Sequence, residues 1–249
     1  MIIGLIPARL NSKRLNNKPL RKLDGIPMII HVLKRALLSK KLNKIIVCAD
    51  DQKIVDEVKK FGQEAYLTSK KIRNGTERIS SFLKKNIKKY TNLKLVVDIQ
   101  CDEVFLNPNY LDKVITFHLN NMLKYEVIIP HSFTKEKNNQ NYVKIISDKD
   151  DNVLYLTRSD APHSFRSERK PFKRHLDFIT FKPNFLIKFP KLKSRSLELY
   201  EGIELLRVLE NGYKIGTTFM KKDYFSINTS KDFLRSIPLI KKDKFRKLY

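Results

Sequence analysis

Ile2-Ile3-Gly4-Leu5-Ile6, followed by Pro7-Ala8-Arg9-Leu10-Asn11-Ser12-Lys13-Arg14-Leu15-Asn16-Asn17-Lys18-Pro19-Leu20, decides the fold. The apolar run shows no polar alternation, so it reads as a strand buried on both faces, the kind found in parallel sheets. It stops at a basic loop. In open α/β sheets, ligands bind beyond the carboxyl ends of the strands. Arg9, Lys13, Arg14 and Lys18 are close together in that loop. Such a cluster can cradle a polyphosphate, because Arg and Lys neutralise grouped phosphate charge. On spacing alone a solvated basic loop is an equal alternative.

Outward from this stretch, strands and helices alternate. Pro27 sits where a first helical residue would, and 28–38 carry helical periodicity. Residues 44–49 form a second strand, and Asp50-Asp51 offers an N-cap for a helix reaching about Phe61. Further strands are expected over 64–67, 93–99 and 126–130, with helices over 76–90 and from Pro108. This alternation argues for a doubly wound, mostly parallel sheet. The second half is less regular. Strands over 142–147 and 153–157 flank the turn Asp148-Lys149-Asp150-Asp151-Asn152, a hairpin signal. Residues 162–173 read as a loop, 176–181 as a strand, and 197–209 as one helix ended by Asn211-Gly212. A strand over 213–219 and a helix over 229–240 complete the chain. No linker divides it, so one domain with an antiparallel elaboration is expected.

With 249 residues, 41% of them hydrophobic, the chain can bury a substantial core. No apolar run approaches the roughly 18 residues that span a bilayer, so no stable membrane insertion is expected. The opening residues read as a strand rather than a signal peptide, and the two cysteines lie in apolar strand-like runs. A reducing, cytoplasmic setting follows as the expectation. The net charge of +25 points to an anionic partner or to compositional drift. The lysines are spread, and no nucleic-acid-binding motif is present. The seven glycines form neither G-x-G-x-x-G nor a P-loop, and the five histidines lack metal-ligand spacing. A second cluster, Gln100-Cys101-Asp102-Glu103, closes the fourth strand. A carboxylate there suits Mg²⁺, which takes few protein ligands plus substrate phosphates; a plain turn cap is the alternative.

The first motif, extended by Asp24-Gly25-Ile26-Pro27-Met28-Ile29-Ile30-His31-Val32, resembles the CMP-Kdo synthetases, the 3-deoxy-manno-octulosonate cytidylyltransferases. Later pieces agree in order. Asn74-Gly75-Thr76-Glu77-Arg78 is similar to the family's S-G-T-E-R, and Gln100-Cys101-Asp102-Glu103 to its Q-G-D-E-P. Thr157-Arg158-Ser159-Asp160-Ala161-Pro162 resembles S-R-A-x-I-P, and Arg174-His175-Leu176 resembles R-H-x-G-I-Y. Glu201 with Glu204-Leu205-Leu206-Arg207 resembles E-x-x-E-Q-L-R.

The resemblance implies an α/β, Rossmann-like nucleotidyltransferase fold in a single domain, 1–249. A nucleotide-binding core would cover about 1–135, an antiparallel acceptor and dimerisation segment about 136–190, and a return to the core 191–249. It implies transfer of CMP from CTP to an acid sugar, Mg²⁺ as cofactor, a homodimer and no nucleic-acid partner. Arg9, Lys18 and Asp102 would be catalytic. Pro7, Ala8, Arg9, Ser12, Arg14, Lys18, Gly75, Thr76, Arg78 and Gln100 would bind nucleotide. Arg158, His175, Glu201 and Glu204 would bind the acceptor, and Asp102 with Asn228 the metal.

Four departures stand out. Asn228 occupies the place of the family's late Asp, Cys101 that of a glycine, and Leu205 that of the Gln after the helix Glu. Asp177-Phe178-Ile179 replaces G-I-Y. These changes fall mostly on the sugar side and imply a different acceptor sugar or reduced activity. The acylneuraminate cytidylyltransferases begin similarly, but Lys18-Pro19-Leu20 and Gly75-Thr76-Glu77-Arg78 favour the octulosonate branch. Asn228 also admits a nucleotide-binding paralogue without catalysis.

Overall fold

The computed structural model describes residues 1–11, 14–167, 171–221 and 225–249. The strands are β1 (Ile2–Ala8), β2 (Lys22–Leu23), β3 (Ile26–Pro27), β4 (Lys44–Ala49), β5 (Ala65–Leu67), β6 (Leu95–Ile99), β7 (Val127–Thr134), β8 (Lys144–Ser147), β9 (Val153–Thr157), β10 (Phe172–His175), β11 (Phe178–Phe181) and β12 (Ile215–Phe219). The helices are α1 (Met28–Ala36), α2 (Gln52–Lys60), α3 (Gly75–Asn86), α4 (Pro108–Asn120), α5 (Pro183–Lys188), α6 (Ser196–Glu201), α7 (Leu206–Glu210) and α8 (Ser230–Lys242).

One sheet runs β5-β4-β1-β6-β11-β7-β10-β8-β9, with β12 on the other edge of β7. β5, β4, β1 and β6 are parallel. β11 enters antiparallel between β6 and β7. β10 then pairs antiparallel with β7 and β8, and β8 with β9 form the hairpin expected from the Asp148–Asn152 turn. The antiparallel strands therefore extend the parallel sheet.

β1 shows why its sequence lacks alternation. Ile2 and Ile6 face one core, shared with α1, α2, α4 and α8, while Ile3 and Leu5 face the other, shared with α3, α5 and α7. Both faces are covered, so every position is apolar. Each such residue contributes on the order of 1.5–3 kcal/mol by burial. At Gly216 on β12 the approach is closer still. A Cβ there would lie 2.6 Å from Ile128 Cδ1 and 2.8 Å from the Tyr125 ring.

Local sequence explains several boundaries. Asp51 caps α2 by accepting from the Lys53 backbone N–H, and Asn74 caps α3 by accepting from Glu77 N–H. Thr229 and Asp232 form a reciprocal capping box at α8. Two expectations need correction. The stretch 162–173 is not wholly a loop, because β10 starts at Phe172. Its polar sequence hides a strand held by β7 and β8 rather than by local propensity. The single helix over 197–209 is two short helices, α6 and α7. Gly202 stops the first one in the left-handed conformation, at φ 62°. The short helix α5 lies in a stretch to which no element was assigned.

Candidate active site

A cavity of about 730 Å³ opens beyond the carboxyl ends of the central strands. Its walls include Arg14, Thr76, Gln100, Asp102, Asn141, Arg158, His175, Asp177, Glu204 and Asn228. Three distant segments meet at one point in it. Lys18, on a short 3₁₀ turn after the basic loop, donates from Nζ to Asp102 Oδ2 at 2.5 Å and to Asn228 Oδ1 at 3.4 Å. Asp102 follows β6, and its carbonyl accepts from Ile227 N–H at 3.3 Å, tying it to the segment that carries Asn228. Asn228 is held in turn by its backbone N–H donating to Asp232 Oδ2 at 3.1 Å. Burial alone would lower the Lys18 pKa, but the Asp102 carboxylate outweighs it and raises the ammonium above its usual value.

Gln100 links the end of β6 to the start of β11. Its side-chain amide donates to Asp98 Oδ1 at 3.0 Å, and its backbone N–H to the Asp177 carbonyl at 3.3 Å. Gly75 opens α3 against Pro7, where a Cβ would come within 3.3 Å of Pro7 Cγ. Pro7 and Ala8 themselves end β1 as buried residues. Thr76 is buried on the cavity wall, beside Glu204.

The wall formed by β10, β11 and the α6–α7 turn is rich in ionisable groups. Burial, with Arg174 adding to it, pushes the His175 pKa down to about 3, so the ring is neutral. His175 Nδ1 lies 3.8 Å from Asp177 Oδ1, and Nε2 has no hydrogen-bond partner among the described residues. Asp177 sits deep in the cavity with its side chain 40% accessible; burial and the Asp102 charge push its pKa up to about 6. Glu204 is also raised, mainly by burial. Behind this wall Asp98 and Glu103 are fully buried, and desolvation holds both carboxyls well above the usual range. Arg158 crosses between walls, donating from Nε to the Glu201 carbonyl at 2.9 Å and from Nη1 to the Gln140 carbonyl at 2.8 Å. Arg14 donates to Asn141 Oδ1 at 3.0 Å.

The structure thus brings Arg14, Thr76, Gln100, Asp102, Arg158, His175, Glu204 and Asn228 to one cavity, with Lys18 bonded to Asp102 and Asn228 at its edge. It places three other expected residues elsewhere. Arg78 is fully buried and donates to the Thr68 hydroxyl at 2.5 Å, with Asp50 at 3.7 Å. Glu201 accepts from the Thr157 hydroxyl at 2.6 Å and from Arg158 N–H at 2.8 Å, and it lines an adjoining cavity of about 490 Å³. Glu201 ties neighbouring elements together, and Arg78 is enclosed away from the cavity, bonding through Nη1 while its Nε and Nη2 have no hydrogen-bond partner among the described residues. Arg9 is exposed and donates to the Ile72 carbonyl at 3.3 Å. Ser12 lies outside the described residues. Sequence reasoning assigned no role to Asp98, Asn141 or Asp177. For Asp177 a signal existed, since it departs from the resembled motif.

Among the described residues, no group of three or more His, Cys, Asp or Glu side chains is arranged to hold a metal, and no helix is long and apolar enough to cross a membrane. Asp102 and Asn228 do offer two hard oxygen donors that already converge on one cation, the Lys18 ammonium. That donor set fits Mg²⁺, which prefers few protein oxygens.

A doubly wound sheet with a basic loop after its first strand, and a polar cavity across the strand ends, defines a nucleotide-binding α/β protein of the nucleotidyltransferase class. Residues 3–215 match the family described as Cytidylyltransferase. The chain is 35% identical over 246 residues to a 3-deoxy-manno-octulosonate cytidylyltransferase of Fusobacterium nucleatum subsp. nucleatum, covering 98% of both chains. It is 31% identical over 231 residues to an 8-amino-3,8-dideoxy-manno-octulosonate cytidylyltransferase of Shewanella pealeana, covering 92% of this chain and 94% of that one. The chain belongs to the cytidylyltransferase family, in the branch of the 3-deoxy-manno-octulosonate enzymes. A solved structure of CMP:2-keto-3-deoxy-manno-octonic acid synthetase complexed with CTP shares the fold, with a TM-score of 0.90 at 24% identity over 97% of this chain and 98% of that one.

Proposed function

We propose that the protein transfers CMP from CTP to the anomeric hydroxyl of an acid sugar of the 3-deoxy-octulosonate class, in the cytoplasm, releasing pyrophosphate. The sugar oxygen forms a bond to the α-phosphorus as the bond from that phosphorus to the bridging oxygen breaks. The hydroxyl proton passes to water, and pyrophosphate carries away the electron pair. Negative charge gathers on phosphate oxygens, so catalysis is positioning plus electrostatic stabilisation, and no covalent nucleophile is required. The observation that carries this reading is Lys18, held charged between Asp102 and Asn228 in a cavity whose other walls bear Glu204 and neutral His175.

In this reading Arg9, Arg14 and Lys18 take the triphosphate, with Ser12 beside them. Gly75, Thr76 and Gln100 form the nucleotide wall, backed by Pro7 and Ala8. Arg158, His175 and Glu204 face the acceptor. Arg78 and Glu201 act at one remove, by holding the strand ends in place. Asp102 and Asn228 would hold Mg²⁺, which when bound screens the phosphate charge. Because an amide oxygen lacks a carboxylate's charge, binding should be weaker than at a two-carboxylate site. Homodimerisation through the 136–190 segment belongs to the same proposal, and its exposed Leu154 and Phe165 support it.

The test is pyrophosphate release with Mg²⁺, each nucleoside triphosphate being offered with a panel of acid sugars. Release is expected with CTP and a 3-deoxy-octulosonate. Measurable CTP binding with no release across the panel would sink the transfer reading. It would favour a nucleotide-binding paralogue, the alternative that Asn228 raises.

A further inference from the structure

The cavity wall formed by β10, β11 and the turn between α6 and α7 is made of hydrogen-bond acceptors. His175 is buried, at 7% exposure, and its Nε2 has no partner among the described residues. With Nδ1 3.8 Å from Asp177 Oδ1, the proton of the neutral ring belongs on Nδ1, a tautomer assigned from that contact. Nε2 then presents a lone pair. Glu204 lies beside Thr76, and its Oε2 is buried with no hydrogen-bond partner among the described residues. Asp177 turns a side chain that is 40% accessible into the same cavity, and it stands where the resembled R-H-x-G-I-Y motif has glycine.

The charges around this wall are unusual for the chain. Asp102, Asp177 and Glu204 line the cavity together in a protein of net charge +25, while Asp98 and Glu103 are buried behind them, where desolvation favours their neutral form. Lys18 and Arg174 supply opposing charge, but Lys18 is committed to Asp102, and Arg174 lies 3.5 Å from the centre of the Tyr142 ring. A carboxylate sugar has no reason to meet such a wall with its acid end. That end suits Arg158, which lines the cavity elsewhere.

We propose that the acceptor sugar carries a protonated primary amine, received by Asp177, His175 Nε2 and Glu204. The proposal rests on the cytidylyl-transfer reading above and names the substrate class within it. An ammonium has three N–H donors and no acceptor, whereas a sugar hydroxyl brings one donor. Three acceptor side chains on one cavity wall, one of them an added carboxylate, match the ammonium. A site built this way discriminates against an analogue that leaves its buried groups unpaired.

The experiment compares 3-deoxy-manno-octulosonate with 8-amino-3,8-dideoxy-manno-octulosonate as acceptors, reading pyrophosphate release with CTP and Mg²⁺. The amino sugar should show a kcat/KM higher by about ten-fold or more, as expected for one charge-assisted hydrogen bond. Asp177→Asn should bring the ratio of the two sugars to within about two-fold. Asp177→Gly, which restores the motif, serves as the second variant, and calorimetric CTP binding checks that each is folded. Equal or better turnover of the sugar without the amine overturns the proposal and leaves cytidylyl transfer standing. So does an unchanged ratio in both variants. No release with either sugar overturns the transfer reading itself, and this proposal with it.

Discussion

Replacing Lys18 by Met keeps the apolar stem and removes the ammonium that bridges Asp102 and Asn228. In the proposed complex that ammonium meets triphosphate oxygens. A charge-assisted hydrogen bond contributes about 1.5–3 kcal/mol, so CTP affinity should fall by about 10- to 150-fold. Lys244 is the control. It lies beyond α8, exposed and 4.9 Å from the Phe245 ring centre. Its charge is screened by salt, and Lys244→Met should change affinity by less than about two-fold. Isothermal titration of CTP in Mg²⁺ buffer measures both variants. Leaving Asp102 unpaired also costs about 1–3 kcal/mol of stability, so urea unfolding must show that the Lys18 variant is folded at the assay temperature. Equal losses in the two variants would remove the basic loop from the nucleotide site.

Three further outcomes follow from packing and charge. Gly216→Ala forces a methyl to within 2.6 Å of Ile128 and 2.8 Å of Tyr125, and it should lower urea stability by about 1–3 kcal/mol; an unchanged midpoint would show that β7 and β12 can move apart freely. Arg207→Met breaks bonds to Glu198 at 2.5 and 2.7 Å and to Glu77 at 3.1 Å, leaving Glu198 buried; a loss of about 3–5 kcal/mol is expected, partly recovered by adding Glu198→Met. His118 is buried between the Thr180 hydroxyl and the Tyr125 carbonyl, and burial pushes its pKa down from 6.5 to about 4. The unfolded chain therefore binds a proton that the folded chain refuses. Relative to His118→Gln, wild-type stability should be highest above pH 6.5 and decline by about 3 kcal/mol as pH falls towards 4. Parallel pH curves for the two proteins would refute the assignment.

The parallel half of the fold was legible because its strands are short apolar runs bounded by caps and breakers. Lys44–Ala49 could be read to the residue, and Pro108 opened α4 as its fixed φ demands. The antiparallel half was harder. β10 holds Lys173 and Arg174 among few apolar side chains, and its partners on β7 are some 40 residues away, so no local pattern marks it. The site was legible as motifs but not as geometry. Nothing in the sequence pairs Lys18 with Asp102, 84 positions on, or with Asn228, 210 positions on. The Thr-Glu-Arg motif looked like ligand contacts throughout. In space only Thr76 faces the cavity, while Glu77 meets Arg207 and Arg78 meets Thr68. A motif records which residues matter, and burial decides which of them can touch a ligand.

The break at Gly202 changes how the acceptor wall is encoded. An unbroken helix presents a given face only every third or fourth residue, so a helical wall is scattered along the sequence. Here Gly202, Ile203, Glu204 and Leu205 all border the cavity in succession. That stretch of wall is consequently a contiguous cassette, flanked by α6 and α7 and free of sheet hydrogen bonds. Swapping such a tetrapeptide could reshape the chamber for a new sugar while the strands, their register and the triphosphate loop remain as they are.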